Sequence, residues 1–273
     1  MPSTASATPR DSSTSTRCGS RFARSATAGP DPVRLDVAFT PAALAPAALG
    51  AATALVIDVL RASTSIVTAL ANGCAAVVPM ADPEDARRRA AETPGALVAG
   101  ERRGEPLEGF DLGNSPLEFT RDRVAGRTIF FTTTNGTGAL LAVRAAAAIG
   151  VAAFVNATAA AAWALAAGRD VVVACAGDAG QRSLEDEMCA GLLVEQVRAA
   201  RPDAALGPQA EEVAGRARVY GQDLARLAQE SPWARRLSNR GRGADLAACL
   251  TLDTFALVPL YRANVDKIVS PYG

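Results

Sequence analysis

The chain has no histidine among its 273 residues. Imidazole is therefore not available as a general base, a nucleophile or a metal ligand. This excludes Ser-His-Asp hydrolysis, the histidine acid phosphatases and most zinc enzymes. Any acid–base or metal chemistry in this protein has to rely on carboxylates.

Paired cysteines are also absent. The five cysteines are widely spaced and form no Cys-x-x-Cys pair. This pattern disfavours a disulfide scaffold or a zinc knuckle, and it indicates reduced thiols in a cytoplasmic protein. Cys18 and Arg24 have the Cys-x5-Arg spacing of cysteine phosphatases. That loop needs a strand before its cysteine, and only Ser/Thr-rich sequence precedes Cys18, so we interpret the match as coincidental.

The chain has no excess of charge of either sign, since 28 basic residues balance 28 acidic ones. Such a chain has no electrostatic footprint for nucleic acid or for an acidic membrane surface. A run of about 18 strongly apolar residues, as a membrane-spanning helix needs, does not occur. The motif Gly-x-x-x-x-Gly-Lys-[Ser/Thr] is missing as well, which argues against ATP binding. We therefore expect neither nucleic acid nor a membrane as a partner.

Residues 1–32 are poor in bulky apolar side chains and rich in Ser, Thr, Ala and Arg. They are predicted to be a disordered, low-complexity N-terminal extension. They lack the apolar core of a secretory signal, so a start codon placed too far upstream is the favoured explanation and a transit-like leader the alternative. Residues 33–273 are predicted to form the folded domain, as one unit or as two intimately associated α/β halves.

Strand and helix patterns alternate along the folded part. Apolar runs at residues 54–59, 128–131, 152–155 and 170–175 predict strands, and helical patterns lie between them. This alternation predicts an α/β fold with a largely parallel sheet.

The first polar strand end lies within residues 56–65, where an apolar strand leads into a helix. The first amides of a helix have no intrahelical partners and carry partial positive charge, so phosphate or carboxylate binds there readily. Arg61 adds a forked, permanently charged clamp beside Asp58, and Ser63, Thr64 or Ser65 could cap the helix. An ordinary turn with a Ser/Thr cap is the alternative interpretation.

Two further strand ends have a similar design, at residues 128–138 and 171–187. Gly136 would let backbone amides approach a ligand closely. Ser183, followed three residues later by Asp186, is close to a capping box, so part of the acidity in this segment could be structural. Because ligands of open parallel sheets bind beyond the carboxyl ends of the strands, the three segments predict one shared cleft.

Taken together, the polar motifs resemble those of a known family. They occur in the order Val56-Ile57-Asp58-Val59-Leu60-Arg61-Ala62-Ser63-Thr64, Gly100-Glu101-Arg102, Gly109-Phe110-Asp111-Leu112-Gly113-Asn114-Ser115-Pro116, Thr133-Thr134-Asn135-Gly136-Thr137, Phe154-Val155-Asn156-Ala157 and Ser183-Leu184-Glu185-Asp186. The set is similar to the 2-phosphosulfolactate phosphatase family, also called ComB, from about residue 33 to the C-terminus. The resemblance implies a three-layer α/β/α fold with a mixed, largely parallel sheet, here spanning residues 33–273.

The resemblance also implies an activity. Members of the family are Mg²⁺-dependent phosphatases that hydrolyse 2-phospho-3-sulfolactate to 3-sulfolactate and phosphate, a step toward coenzyme M in organisms that make it. The residues agree with this, because carboxylate ligands without histidine favour a hard cation such as Mg²⁺. Metal-assisted attack by water is then the expected mechanism. The expected partner is a small phosphorylated sulfonate, and a homo-oligomer is compatible with the sequence.

The predicted catalytic and metal-binding residues are Asp58, Glu101 and Asp186, without a choice between ligand and base. The predicted substrate contacts are Arg61, Ser63, Thr64, Arg102, Asn114, Ser115, Thr134, Asn135, Gly136 and Thr137. Arg103 joins Arg61 and Arg102 as a candidate for holding the sulfonate and the carboxylate.

Two alternatives stay open. Asp58 could act as a nucleophile that forms an aspartyl-phosphate, although Leu60 stands where haloacid-dehalogenase enzymes have a second Asp. The protein could instead be a non-catalytic or differently specific binder or hydrolase of a related phosphorylated or sulfonated acid. Asp245 and Asp253 could reach the cleft, but a position as solvated surface acids is the favoured prediction. Family members often carry a histidine after the serine near position 231, and here Pro232 follows Ser231.

Overall fold

The computed structural model describes residues 32–272, which contain eleven strands and eleven α-helices. The strands are β1 (Arg34–Ala38), β2 (Thr53–Ile57), β3 (Ala76–Pro79), β4 (Leu97–Arg102), β5 (Glu105–Pro106), β6 (Thr128–Thr132), β7 (Ala148–Ala152), β8 (Val171–Cys175), β9 (Ala205–Leu206), β10 (Leu260–Arg262) and β11 (Lys267–Val269). The helices are α1 (Pro46–Leu49), α2 (Ala62–Ala71), α3 (Pro83–Ala91), α4 (Arg121–Val124), α5 (Gly136–Ala142), α6 (Ala157–Ala166), α7 (Leu184–Ala200), α8 (Pro208–Tyr220), α9 (Arg226–Glu230), α10 (Pro232–Asn239) and α11 (Gly243–Cys249).

The strands form one sheet in the order β5-β4-β6-β3-β11-β10-β7-β2-β8-β1-β9. Two blocks of this sheet are parallel: β4-β6-β3 and β7-β2-β8-β1-β9. The antiparallel hairpin β10-β11, which comes from the C-terminal end of the chain, lies between them and pairs with both. A segment remote in sequence therefore joins the two parallel blocks.

The two blocks run in opposite directions, because three antiparallel pairings separate β3 from β7. In a flat sheet their carboxyl ends would lie at opposite edges. The hairpin pairs with each block through one registered residue pair, Ile268 with Val77 and Leu260 with Gly150. The carboxyl ends of both blocks nevertheless line one cavity, so the sheet is not flat.

Strand β2 shows why the sheet has helices on both faces. All five of its residues are buried. Leu55 and Ile57 belong to a core with residues of α6, α7 and α8, whereas Ala54 and Val56 belong to a second core with residues of α2 and α5. Because alternate residues of a strand point to opposite faces, a run without polar positions requires cover on both sides. The predicted three-layer α/β/α class with a mixed, largely parallel sheet is confirmed.

One predicted strand is wrong in its position. The sequence predicts a strand near residues 152–155, but β7 is Ala148–Ala152 and Phe154–Asn156 form a 3₁₀ turn. Residues of high strand propensity occur both in β7, as Ile149 and Val151, and in the adjacent segment, as Phe154 and Val155, so the local pattern does not choose between them. Pairing of β7 with β2 decides the outcome.

Among residues 32–272, no helix is both long enough and apolar enough to cross a membrane. Four cysteines of these residues are free thiols and buried: Cys74, Cys175, Cys189 and Cys249. The predicted N-terminal extension, apart from Pro32, and the Cys18 motif lie outside the described residues. The predicted division of the chain into an extension and a folded domain stays a prediction.

Candidate active site

A cavity of about 180 Å³ lies at the carboxyl ends of β2, β4, β6 and β8. It is lined by Asp58, Leu60, Arg61, Glu101, Arg103, Gly104, Asn114, Thr134, Asn135, Asp178, Ala179 and Trp233. All three polar strand ends of the sequence contribute to this lining. The cavity is therefore the shared cleft that the motifs predict.

Asp58 follows the last residue of β2 and precedes α2. Its backbone N–H donates to Ser63 Oγ at 2.9 Å, and its Oδ1 accepts a 3.4 Å hydrogen bond from the N–H of Ala62. Its Oδ2 has no hydrogen-bond partner among residues 32–272. A Cβ on Gly136 would lie 2.7 Å from this Oδ2, so only glycine fits there. The carboxylate is thus held at the start of α2 with one oxygen left available.

Glu101 places a second carboxylate in the cavity. Its Oε1 accepts from the N–H of Thr134 at 2.6 Å, and its Oε2 accepts from the N–H of Gly104 at 2.5 Å and from Thr134 Oγ1 at 3.2 Å. Burial raises the pKa of Asp58 to about 7, and the negative charge of Glu101 adds to this. The Glu101 carboxylate is therefore close enough to disfavour the charged form of Asp58.

Asp186 lies behind the cavity and does not line it. Its Oδ1 accepts from the N–H of Val59 at 2.8 Å, and its Oδ2 accepts from the N–H of Gly177 at 3.1 Å. Burial raises the pKa of Asp186 well above its usual range. Ser183 is the N-cap of α7, as predicted, and accepts from the N–H of Asp186. Asp186 thus ties the turn after β2 to the turn after β8.

The predicted surface position of Asp245 is wrong, because the residue is only 4% exposed. Its Oδ2 accepts from Arg61 Nη1 at 2.5 Å, and its Oδ1 accepts from Ser115 Oγ at 2.6 Å. Arg61 Nη2 also donates to the carbonyl oxygen of Gly104 at 2.8 Å. One carboxylate from α11 therefore connects three loops of the cavity. No motif of the sequence distinguishes Asp245 from other acids, because its partners are more than a hundred residues away.

Asp253, the second predicted surface acid, is exposed. It accepts hydrogen bonds from the N–H and Oγ1 of Thr158. It is not among the residues that line the cavity.

Several predicted substrate contacts have hydroxyl groups that bond within the protein. Ser63 Oγ lies 3.4 Å from the carbonyl oxygen of Val56, and Thr64 Oγ1 donates to that of Val59 at 2.9 Å. Thr137 Oγ1 accepts from the N–H of Thr133 at 3.2 Å. These hydroxyl groups shape the turns, and none of the three predicted residues lines the cavity. Their contact with substrate stays a prediction.

The three candidate arginines have different surroundings. Arg61 lines the cavity and is paired with Asp245. Arg102 does not line the cavity, and its Nη2 donates to the carbonyl oxygen of Ala81 at 3.0 Å and to Thr132 Oγ1 at 2.8 Å. Arg103 lines the cavity, and its guanidinium makes no hydrogen bond or ion pair with any residue in 32–272. Arg103 is therefore the arginine best placed to meet an anion at the mouth.

Asn114 also lines the cavity and is only 5% exposed. Its Oδ1 is buried and has no hydrogen-bond partner within the described part of the chain. Buried polar atoms are normally paired. An unpaired oxygen in a cavity wall indicates that a ligand supplies the missing partner.

Sequence reasoning missed two side chains that shape the mouth of the cavity. Asp178 follows β8 and is paired with Arg236. Trp233 belongs to α10 and also lines the cavity. The available signal was the departure from the family pattern after Ser231, which pointed to this position.

The fold and the cavity define a class of protein: an α/β protein whose strand ends bring three carboxylates and two arginines around one small cavity. The model of the family described as 2-phosphosulpholactate phosphatase matches residues 38–264. This chain belongs to that family, which confirms the resemblance found in the motifs. The family is one of phosphoric monoester hydrolases.

Similar proteins come from several bacteria. A probable 2-phosphosulfolactate phosphatase of Thermotoga petrophila is 39% identical over 211 residues, which cover 76% of this chain and 88% of that protein. One from Symbiobacterium thermophilum is 41% identical over 212 residues, covering 76% of this chain and 90% of that protein. One from Gloeobacter violaceus is 41% identical over 209 residues, covering 76% and 86%.

Proposed function

We propose that this chain is a Mg²⁺-dependent phosphatase that hydrolyses 2-phospho-3-sulfolactate to 3-sulfolactate and phosphate. The observation that carries the proposal is the convergence of Asp58 and Glu101 on one small cavity beside Arg61. The names of the related proteins support the substrate.

The donor set of the cavity fits Mg²⁺. This ion prefers oxygen ligands and is usually bound by one or two carboxylates together with waters and substrate phosphate. Asp58 has a free Oδ2, Glu101 supplies a second carboxylate, and Asn114 has an unpaired Oδ1. Among residues 32–272 no group of three acidic or thiol side chains is placed to hold a metal, so water and substrate would have to supply the remaining ligands. We propose that Asp58 and Glu101 hold the ion.

The charge of the cavity gives a second reason for a cation. Its lining has three acids, Asp58, Glu101 and Asp178, and only two arginines. The proposed substrate carries a phosphate, a carboxylate and a sulfonate, so it would be repelled by an excess of negative charge. When bound, Mg²⁺ supplies the missing positive charge and lowers the pKa of bound water.

The residues of this chain have distinct tasks in the proposed reaction. Arg61 and Arg103 attract and orient the anionic groups, and the N–H groups of Thr134 and Gly104 hold the Glu101 carboxylate in place. The free Oδ2 of Asp58 serves as a ligand of the ion, so the attacking water gives its proton to solvent. The water oxygen bonds to phosphorus, the ester P–O bond breaks, and the leaving oxygen takes a proton to become the hydroxyl of sulfolactate. Asp186 acts indirectly, by positioning the turn that carries Asp58.

The size of the cavity supports a small substrate. Pockets for drug-sized ligands usually measure about 300–1,000 Å³. This one measures about 180 Å³. An acid of three carbons with one phosphate and one sulfonate is the class of molecule that we expect there.

The test is phosphate release from 2-phospho-3-sulfolactate by the purified chain, with Mg²⁺ and with EDTA, and with phospholactate for comparison. We expect release that is lost in EDTA and that favours the sulfonate. Glu101→Gln should remove both the activity and the rise of melting temperature that Mg²⁺ causes, because ligands that bind only the folded state stabilise it. Glu105→Gln, in the exposed strand next to it, is the matched control.

No release from either substrate by the folded protein would overturn the proposal. Binding of the sulfonate without turnover would then favour the alternative of a binder, and release from phospholactate alone would favour a hydrolase of a related phospho-acid. A cytoplasmic location, a homo-oligomer and a link to coenzyme M remain predictions that this assay does not address.

A further inference from the structure

Trp233 forms part of the wall of the proposed active site. It lies just after Ser231, where this chain lacks the histidine that family members often carry. It follows Pro232 in the first turn of α10, whose N-cap Ser231 accepts from the N–H of Ala234 at 3.1 Å. The indole is half-buried and lines the cavity together with Leu60 and Gly104.

Hydrogen bonding and stacking fix this indole in place. Its Nε1 donates to the carbonyl oxygen of Leu60 at 2.9 Å, in the turn that carries Asp58. The guanidinium of Arg236 lies 4.8 Å from the ring centroid and is itself paired with Asp178, on another loop of the cavity. The positive guanidinium is attracted to the face of the ring, which favours this orientation of the indole.

A second arginine completes the support. Arg240 lies 5.9 Å from the ring centroid, and its Nη1 donates to the carbonyl oxygen of Arg103. It is also paired with Glu105. The ring is therefore connected through its neighbours to the loop that carries Glu101.

Gly104 shows how little space remains beside the ring. A Cβ at this position would lie 3.0 Å from the Cη2 of Trp233 and 3.0 Å from Nη1 of Arg240. The residue has a φ of +86°, which also favours glycine. The backbone of Gly104 and the indole are thus already in contact, and the ring has no room to move toward that loop.

We propose that Trp233 sets the upper size limit of the substrate: its anchored indole restricts the cavity to phosphomonoesters of short acids and excludes aromatic or longer ones. This inference rests on the proposed phosphatase function and deepens it. The physical basis is steric, because a fixed wall rejects a larger group unless the wall moves, and each of its anchors resists that movement.

The test compares a short and a bulky substrate, 2-phospho-3-sulfolactate and p-nitrophenyl phosphate, in wild type and in Trp233→Ala. We expect the ratio of kcat/KM for the bulky substrate over the short one to rise at least tenfold, the scale on which pockets discriminate small changes in size. Trp233→Phe keeps most of the wall and should change the ratio less than threefold. Trp233→Leu, which keeps apolar packing, is an additional variant in case the alanine variant does not fold.

Trp163→Ala is the matched control. Trp163 is the other tryptophan of the chain. It lies on α6, packs against Gly150 of β7 and does not line the cavity. Its removal should leave the substrate ratio unchanged, so that any general loosening caused by loss of a tryptophan is separated from an effect on the wall.

The outcomes separate this inference from the proposed function. If wild type hydrolyses the short substrate and both Trp233→Ala and Trp233→Leu are folded with an unchanged ratio, the size limit is wrong and the phosphatase stands. If wild type hydrolyses neither substrate, the function fails, and the size limit is read by calorimetry with phenylphosphonate. Binding to Trp233→Ala and not to wild type supports the size limit, and equal binding to both overturns it.

Discussion

Asp58 and Asp186 are both acids next to the carboxyl ends of neighbouring strands, and they are used in opposite ways. Asp58 has one oxygen on an amide and one free in the cavity, whereas both oxygens of Asp186 are bound by backbone N–H groups. Asp58 also lines the cavity, and Asp186 does not. The sequence shows two acids of the same kind in the same kind of motif.

This difference indicates that a reactive carboxylate is recognised by an oxygen without a hydrogen-bond partner, and that the presence of an acid at a strand end is not enough. A carboxylate whose oxygens are both satisfied by the backbone holds loops together. A carboxylate with a free oxygen can take a cation or a proton. Four variants or conditions test this distinction.

The largest effect is expected for Asp58→Asn. The amide keeps the shape but cannot hold a cation or a proton as the carboxylate does, so kcat/KM should fall about ten-thousandfold, ~5 kcal/mol. The measurement is phosphate release together with circular dichroism to show that the fold persists. Asp178→Asn, in the same lining but paired with Arg236, should cost far less. A loss for Asp58→Asn below tenfold would contradict the assignment.

The second largest effect is a loss of stability in Asp245→Ala. Asp245 is buried and forms an ion pair with Arg61, which lines the cavity. Arg61 is 3% exposed, so Asp245→Ala leaves a buried cation without a counter-charge. We expect the free energy of unfolding in urea to fall by about 3–5 kcal/mol. Combining Arg61→Met with Asp245→Leu should restore most of this stability and none of the activity. If the double variant is as unstable as the single one, the buried pair is not the cause.

A smaller loss of stability is expected for Asp186→Asn. The new amide group presents N–H donors to the N–H of either Val59 or Gly177, and an unsatisfied buried donor costs about 1–3 kcal/mol. Activity should fall much less than in Asp58→Asn. Asp253→Asn, which alters an exposed acceptor of a backbone N–H, is the control for urea unfolding. Equal losses of activity in Asp58→Asn and Asp186→Asn would contradict the different roles assigned to the two acids.

The smallest effect is a pH dependence of stability in EDTA. The pKa of Asp58 is raised from 3.8 to about 7 in the folded chain, so the native state binds more protons than the unfolded state between these values. Stability therefore falls as pH rises through this window and levels off above it. The melting temperature of Asp58→Asn should exceed that of wild type by a few degrees at pH 8 and by less at pH 5. A constant difference would argue against a raised pKa.

Much of the cavity could be predicted from sequence because its residues follow strands directly. Asp58, Glu101 and Thr134 stand at or next to the ends of β2, β4 and β6, where local patterns are strong. The alternation of strands and helices predicted the α/β class, and the family resemblance implied the three-layer arrangement. The position of β7 could not be predicted in the same way, because β7 and the segment just after it both contain residues that favour strands.

The hairpin β10-β11 shows a second limit. Its strands have three residues each, and neither is long enough to show a period. Their place in the sheet depends on contacts with β7 and β3, far away in the chain. The same holds for Asp245 and Trp233, whose partners Arg61 and Leu60 are separated from them by 184 and 173 residues.

The sequence by itself determined the family, the fold class, the absence of imidazole chemistry and the strand ends that carry the acids. These properties depend on residue types and on neighbours close in the chain. Only the tertiary structure decided which acid is free and which is bound, that Asp245 neutralises Arg61, and that Trp233 closes the cavity. Each of these depends on hydrogen bonds and packing between segments whose separation in sequence leaves no local trace.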